Sequence, residues 1–140
     1  MSILDETSGK IALSDTVSVW ANMPRKRLRE SLEACAGTPC FADDEERAST
    51  LSTGELHIGD LRAACLCSLS AGRLRWIEFQ LLSGTAAQQR ERLFRLIGKP
   101  DPCPETMHSV RVRYPFGTAW IATDSRSGDA TLRITYAAKE

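Results

Sequence analysis

Five cysteines and two histidines are the residues of this chain with the most chemistry to offer: Cys35, Cys40, Cys65, Cys67 and Cys103, with His57 and His108. Thiolates and imidazoles can ligate zinc, or a thiolate beside an imidazole can attack a carbonyl. The spacing favours neither use. Structural zinc sites bring their ligands in paired arms, whereas this chain offers C-x4-C and C-x-C with no second arm to match. An odd number of cysteines in a chain of 140 residues, too large to need staples, also argues against a disulfide framework. Buried thiols acting as small apolar residues are expected instead.

Other chemistries leave equally little trace. The chain has no phosphate-binding G-x-x-x-x-G-K-[ST], no G-x-G-x-x-G, no H-E-x-x-H and no G-x-S-x-G. The run Asp124-Ser125-Arg126-Ser127-Gly128-Asp129 resembles the start of a calcium loop, but it places Arg126 third and Gly128 fifth, where the loop needs oxygen ligands. A hairpin turn accounts for it better. No metal and no cofactor is therefore expected. An enzyme would have to use a Cys/His pair or a carboxylate such as Glu78 in a sheet-lined pocket, and that is the alternative to a binding role.

Tryptophan is more informative once register is considered. With Ala71-Gly72 as a two-residue hairpin loop, Leu69 faces Leu74, Cys67 faces Trp76 and Cys65 faces Glu78, while Leu66 meets Ile77 and Ala64 meets Phe79 on the other side. Both faces are then partly apolar, and the one carrying Leu69, Leu74 and Trp76 needs a cover. A second hairpin, looped at residues 125–128, sets Trp120 with Thr131, Arg133 and Thr135 on a polar face, opposite Ile121, Leu132, Ile134 and Tyr136. Leu69, Leu74, Trp76, Trp120 and Arg133 are the candidate partner-binding residues, since aromatic and arginine side chains anchor interfaces.

These residues are positioned by elements whose periodicity can be read directly. Pro24 opens a helix expected over 24–35, with Leu28, Leu32 and Cys35 on one stripe. Thr85 and Gln88 form a capping-box signature before a second helix expected over 85–97, closed by Gly98 and Pro100. Strands are expected at Lys10 to Leu13, in Leu56 to Leu82 with turns at Gly59-Asp60 and Ala71-Gly72, at Val110 to Tyr114, at Phe116 to Thr123 and at Ala130 to Tyr136. Residues 1–9 carry no periodicity and are expected to be disordered. Those at 16–22 fit helix or strand equally, and 36–53 reads as a surface loop with a helical turn at 43–48. The fold class expected is α+β, with a five- or six-stranded antiparallel meander sheet and two main helices packed on one face.

Composition bounds the partners. The hydrophobic share is 42% and the charged share 26%, as in ordinary globular domains. Lys plus Arg and Asp plus Glu each number 18, so the net charge is zero and no long-range field gathers nucleic acid. The basic run Arg25, Lys26, Arg27, Arg29 and the acidic run Asp43, Asp44, Glu45, Glu46 read as solvated surface. No apolar run is long enough for a membrane span, and the acidic N-terminus lacks a secretory pattern. A single cytoplasmic domain is the expectation.

The tail Tyr114-Pro115-Phe116-Gly117-Thr118-Ala119-Trp120, then Asp124, Gly128 and Ile134-Thr135-Tyr136, preceded by Gly72-Arg73-Leu74 and a capped helix, resembles a class of small, functionally uncharacterised bacterial α+β proteins. Some of that class are similar to immunity proteins that neutralise toxins delivered between competing bacteria. The likeness covers residues 54–137 and rests on turn and core residues. It brings over no catalytic residue. It implies a non-enzymatic module binding a protein partner, a toxin among the candidates, with a homodimer as the other use of the same face.

Overall fold

The computed structural model describes residues 2–37, 39–42, 49–99, 109–123 and 129–137. The acidic run at 43–46, the helical turn expected at 43–48, the proline-rich loop at 101–104, Cys103, His108 and the turn at 124–128 lie outside the described residues. In chain order the elements are β1 (Ile11–Ala12), β2 (Ser18–Val19), α1 (Arg25–Ala36), β3 (Phe41–Ala42), β4 (Thr50–Ile58), β5 (Leu61–Ser70), β6 (Arg73–Leu81), α2 (Ala86–Leu96), β7 (Ser109–Tyr114), β8 (Gly117–Thr123) and β9 (Ala130–Tyr136).

The fold is α+β, and its main sheet is antiparallel throughout, with the strand order β3-β4-β5-β6-β9-β8-β7. The expected meander is thus two meanders. After β6 the chain crosses through α2 to the far edge, then returns β7-β8-β9 so that β9 docks against β6. The sheet is also larger than expected, because β4 begins at Thr50 and is flanked by β3, in a stretch that reads as loop.

Both helices form where the apolar spacing places them. Helix α1 buries Leu28 and Leu32 and ends at Gly37, whose φ of 71° is the left-handed conformation that glycine adopts freely. Helix α2 starts with a complete capping box: the Thr85 hydroxyl accepts from the Gln88 backbone and the Gln88 side chain accepts from the Thr85 backbone. Its buried stripe holds Leu93, Phe94 and Leu96. Each helix packs over a different half of the sheet, α1 against β4 and α2 against β8 and β9.

Between them lies the N-terminal segment, and residues 2–9, for which disorder is expected, pack onto the fold. Leu4 bridges Ile11 and is buried, the Ile3 backbone donates to the Leu96 carbonyl at 2.8 Å, and the Tyr136 hydroxyl donates to the Gly9 carbonyl at 2.8 Å. Residues 16–22 form no helix: Ser18–Val19 is β2, paired with β1, and residues 21–22 are a turn in which Asn22 has a φ of 62°. Met23, Leu13, Ile11 and Val19 all join the core.

Candidate functional site

The two faces of the sheet are sorted by a bulge that the hairpin register above does not anticipate. In β5 and β6 the pairs run Ser70 with Arg73 and Leu69 with Leu74, then step to Ser68 with Trp76, so that Arg75 has no partner. One extra residue in one strand shifts every later pair by one position. Cys67 therefore faces Ile77 rather than Trp76, Cys65 faces Phe79 rather than Glu78, and Leu66 faces Glu78 rather than Ile77.

The bulge makes each face uniform. Ala63, Cys65, Cys67 and Leu69 with Leu74, Ile77, Phe79 and Leu81 are buried towards the helices, and Leu132, Ile134, Ala119 and Ile121 continue that face. Leu69 and Leu74 are core residues, 6% and 0% exposed, so they cannot belong to a partner-binding surface. Trp76 does not share their face. It lies on the opposite, open side of the sheet, over which no described helix packs.

On that open side the second hairpin has the register expected of it: Trp120 opposite Arg133, with Thr118 opposite Thr135 and Ala122 opposite Thr131. One cross-strand row then reads Ser52, Leu66, Glu78, Arg133, Trp120, Arg111, and the next reads Thr50, Ser68, Trp76, Thr135, Thr118, Arg113. Arg133 is the hub of these rows. Its guanidinium donates to Glu78 Oε1 at 3.2 and 3.3 Å, lies 4.0 Å above the Trp76 ring centre and stands 6.0 Å from that of Trp120. The planar cation is thus held by one carboxylate and two aromatic faces, a geometry in which arginine is pre-organised. Side-chain exposures of 34% for Arg133 and 22% for Glu78 keep this cluster in reach of solvent.

Among the described residues the charge on this face is not balanced. Glu78 is taken by Arg133 and Glu55 by Arg62, while Asp129 accepts from Gln80 at 3.1 Å. Arg111 and Arg113 are exposed and form no ion pair among the described residues.

Among the described residues thiol chemistry finds no matching arrangement. Cys65 and Cys67 are buried with sulfurs 3.9 Å apart, and burial pushes the Cys65 thiol well above its ordinary range. Burial, with the Glu33 carboxylate nearby, raises Cys40 to about 11, and burial raises Cys35 also. Nucleophilic cysteines need the opposite shift. His57 is exposed on β4, on the face away from Cys65 and Cys67. Among the described residues no group of three or more His, Cys, Asp or Glu side chains is placed to hold a metal, and no helix is long and apolar enough to cross a membrane.

A cavity of about 440 Å³ opens elsewhere, between the N-terminal segment, the β4–β5 turn and α2. Its walls are Ile3, Leu13, Ile58, Leu61 and Leu96, with Asp15, Asp60, Arg92 and Arg95 among them, and neither cysteine nor histidine lines it. The charges there are of both signs. Compared with protein-family models, with curated proteins and with solved structures, the chain matches none.

Proposed function

We propose that this protein is a binding module that covers an acidic surface of a partner protein with the open face of its sheet. The observation that carries this reading is the cluster in which Arg133 lies against Trp76 and near Trp120 on a face that no described helix packs over. Tryptophan and arginine contribute most to interface energetics, and here both are held rigid before a partner arrives, which lowers the ordering cost of binding. Arg111 and Arg113 beside the cluster, which form no ion pair among the described residues, set the sign of the partner's charge. A second copy of the chain fits less well, because the carboxylates of this face, Glu55, Glu78 and Asp129, are already engaged.

The resemblance to immunity proteins points to a toxin as the partner. Such a protein needs no catalytic group: it acts by occupying a surface and excluding the toxin's substrate. The test is protection of cells that express the toxic product of a neighbouring reading frame. This protein should protect them, and the variant Trp76→Ala/Trp120→Ala, checked by circular dichroism for an intact fold, should not. Full protection by the folded double variant would overturn the reading, as would salt-sensitive binding of single-stranded DNA by the same face in place of a protein.

A further inference from the structure

Strand β7 forms one edge of the sheet: Ser109–Tyr114 pairs with β8 along one side, and no described strand pairs along the other. Edge strands expose a row of backbone donors and acceptors that another strand can complete. Natural edges are commonly blunted by proline, a bulge or an inward-pointing charge. None of these interrupts β7, whose six residues pair with β8 without a register shift.

The side chains of β7 decide what could pair there. Ser109, Arg111 and Arg113 lie exposed on the open face, while Val110, Val112 and Tyr114 lie on the helix side but remain only half-buried. Partners in an antiparallel pair lie directly opposite one another on the same face, and like charges so placed repel. For two copies of β7, either antiparallel register that pairs five residues of each strand sets Arg111 opposite Arg111 or opposite Arg113. Self-pairing is therefore disfavoured. The same two charges, two residues apart, match an incoming strand that alternates carboxylates with apolar side chains. Its acids would meet Arg111 and Arg113, and its apolar residues would extend the half-covered row Val110, Val112, Tyr114.

We infer that the β7 edge accepts an extended segment of a partner protein with alternating acidic and apolar residues, added as an antiparallel strand. The inference rests on the reading of the open face as the docking surface and names a second contact for the same partner, since β7 carries Arg111 beside Trp120. The probe is the blocked peptide Thr-Val-Glu-Val-Glu-Val-Thr, compared with its counterpart in which lysine replaces glutamate, each titrated into isotope-labelled protein. The glutamate peptide should slow amide hydrogen exchange along β7 and bind at least tenfold more tightly than the lysine peptide. Arg111→Glu/Arg113→Glu should invert that preference, which a merely unfolded variant cannot do. Edge binding is read by β7 protection with the peptide alone and the open-face reading by cellular protection with the whole partner, so failure of one is distinguishable from failure of the other. Absence of β7 protection at millimolar peptide, equal binding of both peptides, or a wild-type dimer in sedimentation that protects β7 would overturn the inference.

Discussion

The Arg133 guanidinium lies 4.0 Å above the centre of the Trp76 ring, and Trp76 stands opposite Ser68 because Arg75 bulges out of the β5–β6 ladder. Trp76 and Leu74, two residues apart, consequently occupy opposite faces of the sheet. Their truncations should separate accordingly. Leu74→Ala removes a fully buried side chain and should cost about 2–5 kcal/mol. Trp76→Ala loses part of one aromatic surface and a cation–π contact, and should cost about 1 kcal/mol. Urea unfolding of both variants beside wild type checks the difference.

How much of this was legible in the sequence depends on the range over which each signal acts. The start of α2 follows from the Thr85–Gln88 box, a signal spanning four residues. The β8–β9 register follows from unbroken alternation, which sets Trp120 opposite Arg133. Alternation misleads between Leu74 and Trp76, because an unpaired residue restarts the count and a bulge at Arg75 leaves no mark in residue type. Docking of β9 on β6 joins Trp76 to Thr135, too far apart in sequence for any local pattern to report. The first part of β4, before Leu56, went unread for a different reason. Its Ser-Thr-Gly composition resembles a loop, yet Thr53 is buried and its hydroxyl accepts from the Cys65 backbone at 3.2 Å. Half of the Trp76–Arg133–Trp120 cluster was therefore visible before the structure, and the half that depended on the bulge was not.

Two glycines should respond differently to alanine. A Cβ on Gly117 would fall 2.0 Å from the Thr135 carbonyl oxygen, which is backbone of the paired strand β9 and cannot move aside alone. At Gly72, with φ of 73°, a Cβ meets nothing within 4 Å, so only the left-handed conformation is penalised. Gly72→Ala should cost about 1–2 kcal/mol, and Gly117→Ala more than that. Thermal unfolding of the two variants orders them.

Stability should fall at alkaline pH. The Cys40 thiol ordinarily ionises near 9.0, but in the fold burial raises it to about 11, and Cys65 and Tyr136 are raised by burial as well. Between those values the unfolded chain has released a proton that the native state still holds, so rising pH favours unfolding. The stabilising contribution is fully present below about pH 9 and is lost as pH rises towards 11. Urea midpoints measured from pH 7 to 11 should be level at first and then decline, and Cys40→Ala should make the decline shallower. An unchanged slope in that variant would show that Cys40 does not contribute.

The bulge itself predicts an asymmetry between a deletion and an insertion. Removing Arg75 leaves Leu74 followed directly by Trp76, so the pairs Leu69 with Leu74, Ser68 with Trp76 and Cys67 with Ile77 can all persist in a regular ladder. Faces stay as they are, and the loss is confined to the local bend and twist that a bulge supplies. That deletion should fold, with a stability loss below about 2 kcal/mol and tryptophan emission close to wild type. Inserting one alanine between Ser68 and Leu69 gives Arg75 a partner and restores strict alternation across the site. The longer segments, held by β4 and β9, keep Ile77 and Phe79 inward, so Leu69 and Leu74, both buried now, would be driven to the open side and Arg75 towards the helices. Turning the Arg75 cation inward and exposing two large core side chains should exceed about 4 kcal/mol and leave the chain unfolded or aggregated. Urea unfolding and limited proteolysis of the two variants decide the matter, and an insertion variant as stable as the deletion would show that the bulge does not sort the faces.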